Sequence, residues 1–227
     1  MWVLMPYLNV DSVRLYYEVH GRGFPMLWLP PLLGDHVSMR AFTQPFTKLY
    51  TTIILDLLGH GLSDKPKVAK LYSYENLTDH CYRLIQHLGI NKHDIVGISW
   101  SGRIAILYTL LHQDRVRSLV LISSSGPKHQ VTEPPDNPEL SNMERFLVES
   151  IWQTPYNVLN DLKVIQVPTL ILIGDQDPRL EAARLMHANI PKSTLIIING
   201  YEHHIENKIC AQKILPWLQG LSGYVTK

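Results

Sequence analysis

The stretch Val96-Gly97-Ile98-Ser99-Trp100-Ser101-Gly102 constrains this chain more than any other. It stands between an apolar run ending at Ile95 and Val96 and a helical run from Arg103 to Tyr108. A strand that passes directly into a helix through a serine must turn sharply. Small residues two positions either side, Gly97 and Ser101, let it do so. The strain of such a turn lifts the Ser99 hydroxyl above the sheet edge, where a base and a substrate can reach it. The pattern carries weight only with a buried strand before it and a helix after it, and both periodicities are present.

The rest of the chain has the organisation that this turn demands. Met26 to Leu29, Thr52 to Leu55, Asp94 to Ile98, Val116 to Ile122, Thr169 to Ile173 and Thr194 to Ile198 read as strands. Ser38 to Leu49, Tyr74 to Leu88, Trp100 to His112, Arg179 to Ala188 and Ile209 to Leu218 read as helices. The strands are apolar runs, not alternations, as burial on two sides requires. The expected fold class is therefore α/β: a mostly parallel central sheet with helices on both faces, in a single domain over 1–227. An opening pair, Met5 to Val10 and Val13 to His20, turns at Asp11-Ser12 and forms an antiparallel edge. Gly126 to about Asn160 is less regular and reads as a short cap inserted over the carboxyl edge of the sheet. It holds one helix, with Asn137 as its cap, Pro138 in its first turn, and Leu140, Met143, Leu147 and Ile151 on one face.

Composition narrows the function. The 21 basic and 20 acidic side chains leave a formal charge of +1, with no block of like charges. That gives no electrostatic case for nucleic acid or an anionic membrane. Cys81 and Cys210 are far apart and form no metal-ligand spacing, so two free buried thiols are expected. His80, His87 and His112 sit in helical stretches without partners at ligand spacing, and no metal site is expected. The first residues have no basic region before their short apolar start, and no apolar run reaches membrane-spanning length. The cytoplasm is the expected compartment, and a homo-oligomer stays open.

A serine nucleophile needs a base to take its proton and an acid to orient that base. The strand at Thr169 to Ile173 runs into Gly174-Asp175-Gln176-Asp177-Pro178, a loop carrying carboxylates. The strand ending at Ile198 runs into Asn199-Gly200-Tyr201-Glu202-His203-His204, a loop carrying imidazoles. Open α/β sheets place their chemistry at such carboxyl ends.

On these residues the chain resembles the α/β-hydrolase superfamily, close to its small esterase and lactonase-like members, over nearly its whole length. The resemblance rests on Leu29-Pro30-Pro31-Leu32-Leu33-Gly34, on Asp56-Leu57-Leu58-Gly59-His60-Gly61-Leu62-Ser63-Asp64, on the Ser99 turn, and on the Gly174 and Gly200 loops. The second block resembles a structural turn of the family, and His60 within it is expected to be a hydrogen-bonded loop residue. The resemblance makes Asp177 the acid and leaves Asp175 as a solvated loop residue. Relatives usually carry the base directly after a glycine, where this chain has Tyr201. His204 is the expected base, with His203 or neither histidine as the alternatives. One oxyanion donor is the N–H of Trp100, at a helix N-terminus. The other, by resemblance, is the N–H of Leu32. The family pattern has His-Gly before that donor, whereas Pro30 and Pro31 have no N–H to give. Ser101 stands where relatives commonly carry glycine.

The resemblance implies hydrolysis of a small-molecule carboxylic ester through an acyl-enzyme, with no cofactor. Lactone opening, C–C bond hydrolysis and perhydrolysis use the same triad and remain open, as does a ligand-binding role on a hydrolase scaffold. A serine at position 99 argues against dehalogenase and epoxide-hydrolase chemistry, which uses a carboxylate there. Leu33, Phe146, Leu147 and Trp152 are the expected substrate-lining residues beside Leu32 and Trp100. They suggest an apolar acyl group, although the three from the insertion can equally pack its helix onto the sheet. Lys128, Arg145 and Arg179 are the basic residues placed to reach inward.

Overall fold

Two-sided burial of the central strands decides the architecture. The computed structural model describes residues 6–134 and 137–222. Met5 (the expected first residue of the opening strand), the remaining residues before it and Pro135 of the insertion lie outside them. Along β3 (Phe24–Leu29), Met26, Leu27, Trp28 and Leu29 are all fully buried. Successive side chains of a strand face opposite ways. Leu27 and Leu29 accordingly join one apolar core, and Met26 and Trp28 another. The same division runs through β5 (His93–Ile98), β6 (Val116–Ile122) and β9 (Thr169–Gly174). Each Leu or Ile so buried contributes roughly 1.5–3 kcal/mol, which ties the two cores to one sheet.

With β1 (Tyr7–Val10), β2 (Val13–Gly21), β4 (Tyr50–Leu55) and β10 (Ser193–Ile198), these strands form an eight-stranded sheet in the order β1-β2-β4-β3-β5-β6-β9-β10. From β4 to β10 every pairing is parallel. The first two strands are antiparallel to their neighbours, as the hairpin at Asp11 implies.

Helix α1 (His36–Thr43) follows β3 and packs Met39 and Phe42 into the second core, beside α6 (Asn207–Ser222). Helix α3 (Gly102–Leu111) follows β5 and packs Ile104 and Ala105 into the first, with α2 (Tyr74–His87) and α5 (Leu180–Asn189). Neighbouring strands β3 and β5 thus send their chains to opposite faces. Their carboxyl ends part at a topological switch point, where open α/β sheets form a crevice.

Element boundaries differ from expectation where local chemistry intervenes. The helix expected over Ser38 to Leu49 ends at Thr43 and gives way to a single 3-10 turn, because Pro45 lacks the N–H that an α-helix needs. The insertion carries α4 (Asn142–Trp152), and Ser141, not Asn137, caps it. Ser141 Oγ accepts the Glu144 N–H while the Glu144 carboxylate accepts the Ser141 N–H, a reciprocal capping box. Asn137 instead accepts the N–H of Glu139 within a turn, so Leu140 precedes the helix. Two short strands, β7 (Lys128–His129) and β8 (Tyr156–Asn157), pair antiparallel and close the base of this excursion. No helix among the described residues is long and apolar enough to cross a membrane.

His93 opens β5 with no exposed surface, its ring against Tyr108 at 5.4 Å and neither ring nitrogen bonded to protein. Burial penalises the charged form and pushes this imidazole down to about 4. The unfolded chain then binds more protons than the folded one, so stability falls as pH drops from about 6.5 towards 4. At pH 5 the loss from this residue is about 2 kcal/mol. Urea midpoints at pH 7 and pH 5 should therefore differ markedly for the wild type and much less for His93→Phe. Equal acid sensitivity of the two proteins would remove His93 as the cause.

Candidate active site

The turn at Ser99 is as tight as its sequence implies. Ser99 has φ 55°, a left-handed conformation that costs a non-glycine residue strain. The strand end and the helix start touch there: a Cβ on Gly97 would lie 2.7 Å from Gly102 Cα. A Cβ on Gly102 would lie 1.9 Å from Ser124 Oγ. Ser101 does more than stay small. Its hydroxyl donates to the Leu29 carbonyl at 2.8 Å and accepts the Ile98 N–H at 3.0 Å. That side chain bolts the end of β3 to the end of β5. The Ser99 carbonyl accepts the N–H of Ser125 at 2.9 Å, which fixes the turn to the end of β6.

Beyond β9 and β10 two loops are laced together. A Cβ on Gly174 would lie 2.1 Å from the Tyr201 carbonyl, so only glycine lets the loops close. The Gln176 N–H donates to that same carbonyl, and the Asp175 N–H donates to Ile198 O. Asp175 is not merely solvated: its Oδ1 accepts the Gly200 N–H at 2.8 Å. Asp177 is buried, and its Oδ1 accepts the Arg179 N–H at 2.8 Å. Its Oδ2 lies 2.8 Å from His203 Nδ1, and His203 Nε2 lies 2.9 Å from Ser99 Oγ.

The geometry differs from the expected placement of His204. His203, not His204, sits between Ser99 and Asp177. The left-handed Gly200, at φ 79°, and the lacing of Tyr201 to Gln176 decide which imidazole faces the serine. The exposed His204 instead lines a cleft of about 450 Å³ with Pro31, Met39, Phe42 and Lys208, between α1 and α6. Arg179, unassigned in the sequence reading beyond its reach, has its guanidinium 3.0 Å from His203 Nδ1 and 3.7 Å from Asp177 Oδ1.

The Leu32 segment follows β3, the strand beside β5 at the switch point. Gly34 N–H donates to Pro31 O, and Leu33 is left-handed at φ 62°, forming a closed turn. Buried Asp56 anchors it. Its carboxylate accepts the backbone and ring N–H of His36 and the N–H of Leu62. A Cβ on Gly61 would collide with that carboxylate, so the second sequence block is a scaffold for the first.

The cap is tied to the same centre. Trp100 Nε1–H and Arg103 both donate to the Tyr74 hydroxyl, and Arg103 also donates to the carbonyls of Gly126 and Lys128. Tyr156 closes the circuit by donating to Arg103 O. His60 stacks on Trp100 at 5.6 Å, gives its Nδ1–H to Leu58 O, and is kept neutral by burial.

Of the expected lining residues, Leu147 is fully buried, 2.9 Å from where a Gly59 Cβ would stand, and clamps α4 to the core. Phe146 lies edge-on to Tyr72 and Trp152 beside His129, both half-buried, while Leu33 is exposed at the turn tip. Cys81 and Cys210 are free and buried, and no cluster of His, Cys, Asp or Glu among the described residues is arranged to hold a metal.

Residues 25–163 match the sequence model of a family described as alpha/beta hydrolase fold. Two curated relatives are 2-hydroxymuconate semialdehyde hydrolases. The one from Pseudomonas sp. (strain CF600) is 32% identical over 66% of this chain and 55% of its own length, so the chain spans about half of that relative. The one from Pseudomonas putida is 33% identical over 90% of this chain and 79% of its own length. Among solved structures, an esterase from Exiguobacterium antarcticum superposes with TM-score 0.80 at 21% identity, covering 92% of this chain and 97% of that one. At that identity the likeness is one of fold.

Ser101 should be felt at the site as well as in stability. Ser101→Ala is expected to cost about 1–2 kcal/mol, the scale of a lost buried hydrogen bond. It should also slow capture of Ser99 by a serine-directed phosphonate, since β3 and β5 lose their bolt. Labelling at the wild-type rate with an unchanged Tm would show that the bridge is incidental.

Proposed function

Since the chain belongs to the α/β-hydrolase fold family, we propose that it is a serine hydrolase of small carboxylic esters, acting through Ser99, His203 and Asp177. One observation supports this above all others: an unbroken hydrogen-bonded line from a buried carboxylate through an imidazole to a strained serine hydroxyl. A carboxylate only accepts, so the productive tautomer places the proton on Nδ1 and leaves Nε2 to receive the Ser99 proton. Ser99 Oγ then attacks the ester carbonyl. The oxyanion that forms is held by the N–H groups of Trp100 and Leu32, the first at the start of the helical segment that leads into α3. His203 gives its proton to the departing alcohol. A water, deprotonated by His203, attacks the acyl-enzyme and releases the acid. In this reading Phe146 and Trp152 wall the acyl group, with Leu147 behind them as packing.

A second reading has specific support. Two relatives at about one-third identity are named 2-hydroxymuconate semialdehyde hydrolase, which favours C–C bond hydrolysis over ester cleavage. The same nucleophile, base and acid serve both, so substrate panels separate them.

Ser99→Ala should lower turnover of p-nitrophenyl esters at least about a thousandfold. His203→Ala should fall comparably, and His204→Ala should stay within a few-fold of wild type. A large loss in His204→Ala with His203→Ala spared would overturn the assignment of the base. An active Ser99→Ala protein would overturn the whole mechanism.

A further inference from the structure

Two residues that the sequence singles out have no part in the ester mechanism: Pro31, which has no N–H to give, and His204, which follows the base. The fold brings both to one cleft of about 450 Å³ between α1 and α6. Buried Met39 and Phe42 and half-buried Ile98 give it an apolar floor, and exposed Ser38 and Lys208 stand at its rim. A second hollow, of about 570 Å³, shares Asn207 and Lys208 with the first and lies along the same seam, against Ala41, Ala211 and Leu215.

The chain itself ties this cleft to the reacting groups. Pro31 precedes Leu32, Ile98 precedes Ser99, and His204 follows His203. The loops that carry the oxyanion donor, the nucleophile and the base thus each give a neighbouring residue to its wall. Alternation along β5 turns Ile98 into the second core, on the face covered by α1 and α6. The cap belongs to the other face: Leu147, Ile151 and Tyr156 pack into the first core.

An acyl carbon under attack carries Ser99 Oγ, the oxyanion, the leaving oxygen and the acyl chain. The oxyanion points at the N–H groups of Leu32 and Trp100, and the leaving oxygen must come within reach of His203 Nε2 to take its proton. The group borne by the leaving oxygen therefore starts between the base and the Leu32 turn. Those are the two loops whose next residues, His204 and Pro31, wall the cleft. The acyl chain takes the remaining direction, towards the cap.

Resting on the reading of this centre as a serine esterase, we propose that the cleft between α1 and α6 receives the alcohol half of the substrate, and that the preferred esters are those of an elongated apolar alcohol. Met39, Phe42 and Ile98 supply its contact surface. Lys208 keeps its ammonium in water while its stem borders both hollows.

Hexyl acetate and methyl heptanoate are isomers that carry the long chain on opposite sides of the ester bond, and methyl acetate is the reference for both. The two acetates form the same acetyl-enzyme, so their ratio in kcat/KM isolates the step in which the alcohol leaves. Wild type should favour hexyl acetate over methyl acetate by about tenfold or more, since each fully buried methylene is worth about fourfold. Lys208→Trp places a bulky ring where the two hollows meet. It should bring that ratio most of the way to one and leave the ratio of methyl heptanoate to methyl acetate within about twofold of wild type. Ratios do not depend on how much of a variant folds. A wild-type ratio near one, or a Lys208→Trp protein that loses methyl heptanoate and keeps hexyl acetate, overturns the proposal and leaves the ester reading in place.

A second readout needs no turnover. In protein carrying 13C-methyl methionine, the Met39 signal is assigned by its absence from Met39→Leu. Titration with 1-hexanol should shift it saturably in wild type and not in Lys208→Trp. A Met39 signal that ignores 1-hexanol in wild type counts against the cleft whatever the kinetics. If none of the esters is hydrolysed while Met39 still answers to 1-hexanol, the ester reading fails and the cleft stands as a site for an apolar alcohol.

Discussion

The contact of Gly97 with Gly102 is the constraint on which the rest of the site depends. Two backbones meet there with no room for a Cβ, and Ser99 is held at φ 55° as a result. A larger residue at either glycine would push α3 off β5. Relaxing Ser99 to an ordinary strand or helix conformation would swing its hydroxyl away from His203. The strain costs of order 1–3 kcal/mol and is sustained by its surroundings. Those surroundings are specific: the Ser101 hydroxyl on Leu29, and the Ser125 N–H on the Ser99 carbonyl. Each joins the turn to a neighbouring strand, so the serine is placed by the whole parallel sheet and not by its own loop.

Two clamps then bring the partners to it. On one side the buried Asp56 gathers the start of α1 and the Gly61 turn, and so sets the Leu32 segment. On the other the Gly174 and Gly200 loops interlock through backbone hydrogen bonds and the Asp175 carboxylate. In both cases a carboxylate that takes no part in the chemistry satisfies backbone donors that would otherwise be unpaired in a loop. This is how flexible segments hold atoms to the few tenths of an ångström that proton transfer needs.

The sheet, its helices and its edge hairpin were legible in the sequence because burial on two faces writes itself as unbroken apolar runs. Ser99 was legible because its turn demands small residues on both sides of it. The choice between His203 and His204 was not. Adjacent residues in a loop point in different directions, and the direction was set by a contact between Gly174 and Tyr201, residues 27 apart in number. Arg179 was seen as a basic residue within reach, but its proximity to His203 Nδ1 depends on the same interlocking. The cap helix differs again. Ser141 and Glu144 carried the capping-box spacing in plain view, and the Asn137-Pro138 pair was an equally good local signal that lost. Reciprocal bonds satisfy two donors where a lone Asn satisfies one.

The Tyr74 hydroxyl explains why so short a cap can still matter. It accepts from Trp100, whose backbone N–H faces the forming oxyanion in the proposed mechanism, and from Arg103, which holds the carbonyls of Gly126 and Lys128 at the cap's base. Tyr156 returns from the far end of the cap to the Arg103 carbonyl. Both ends of the excursion therefore hang on the helical segment that begins at Ser99. Displacing the cap base would strain Arg103 first and Trp100 next, within one turn of Ser99. A long lid can swing on its own hinge. A short one tied in this way can move only by disturbing Trp100, so in the proposed mechanism its geometry and the reactivity of Ser99 are set together.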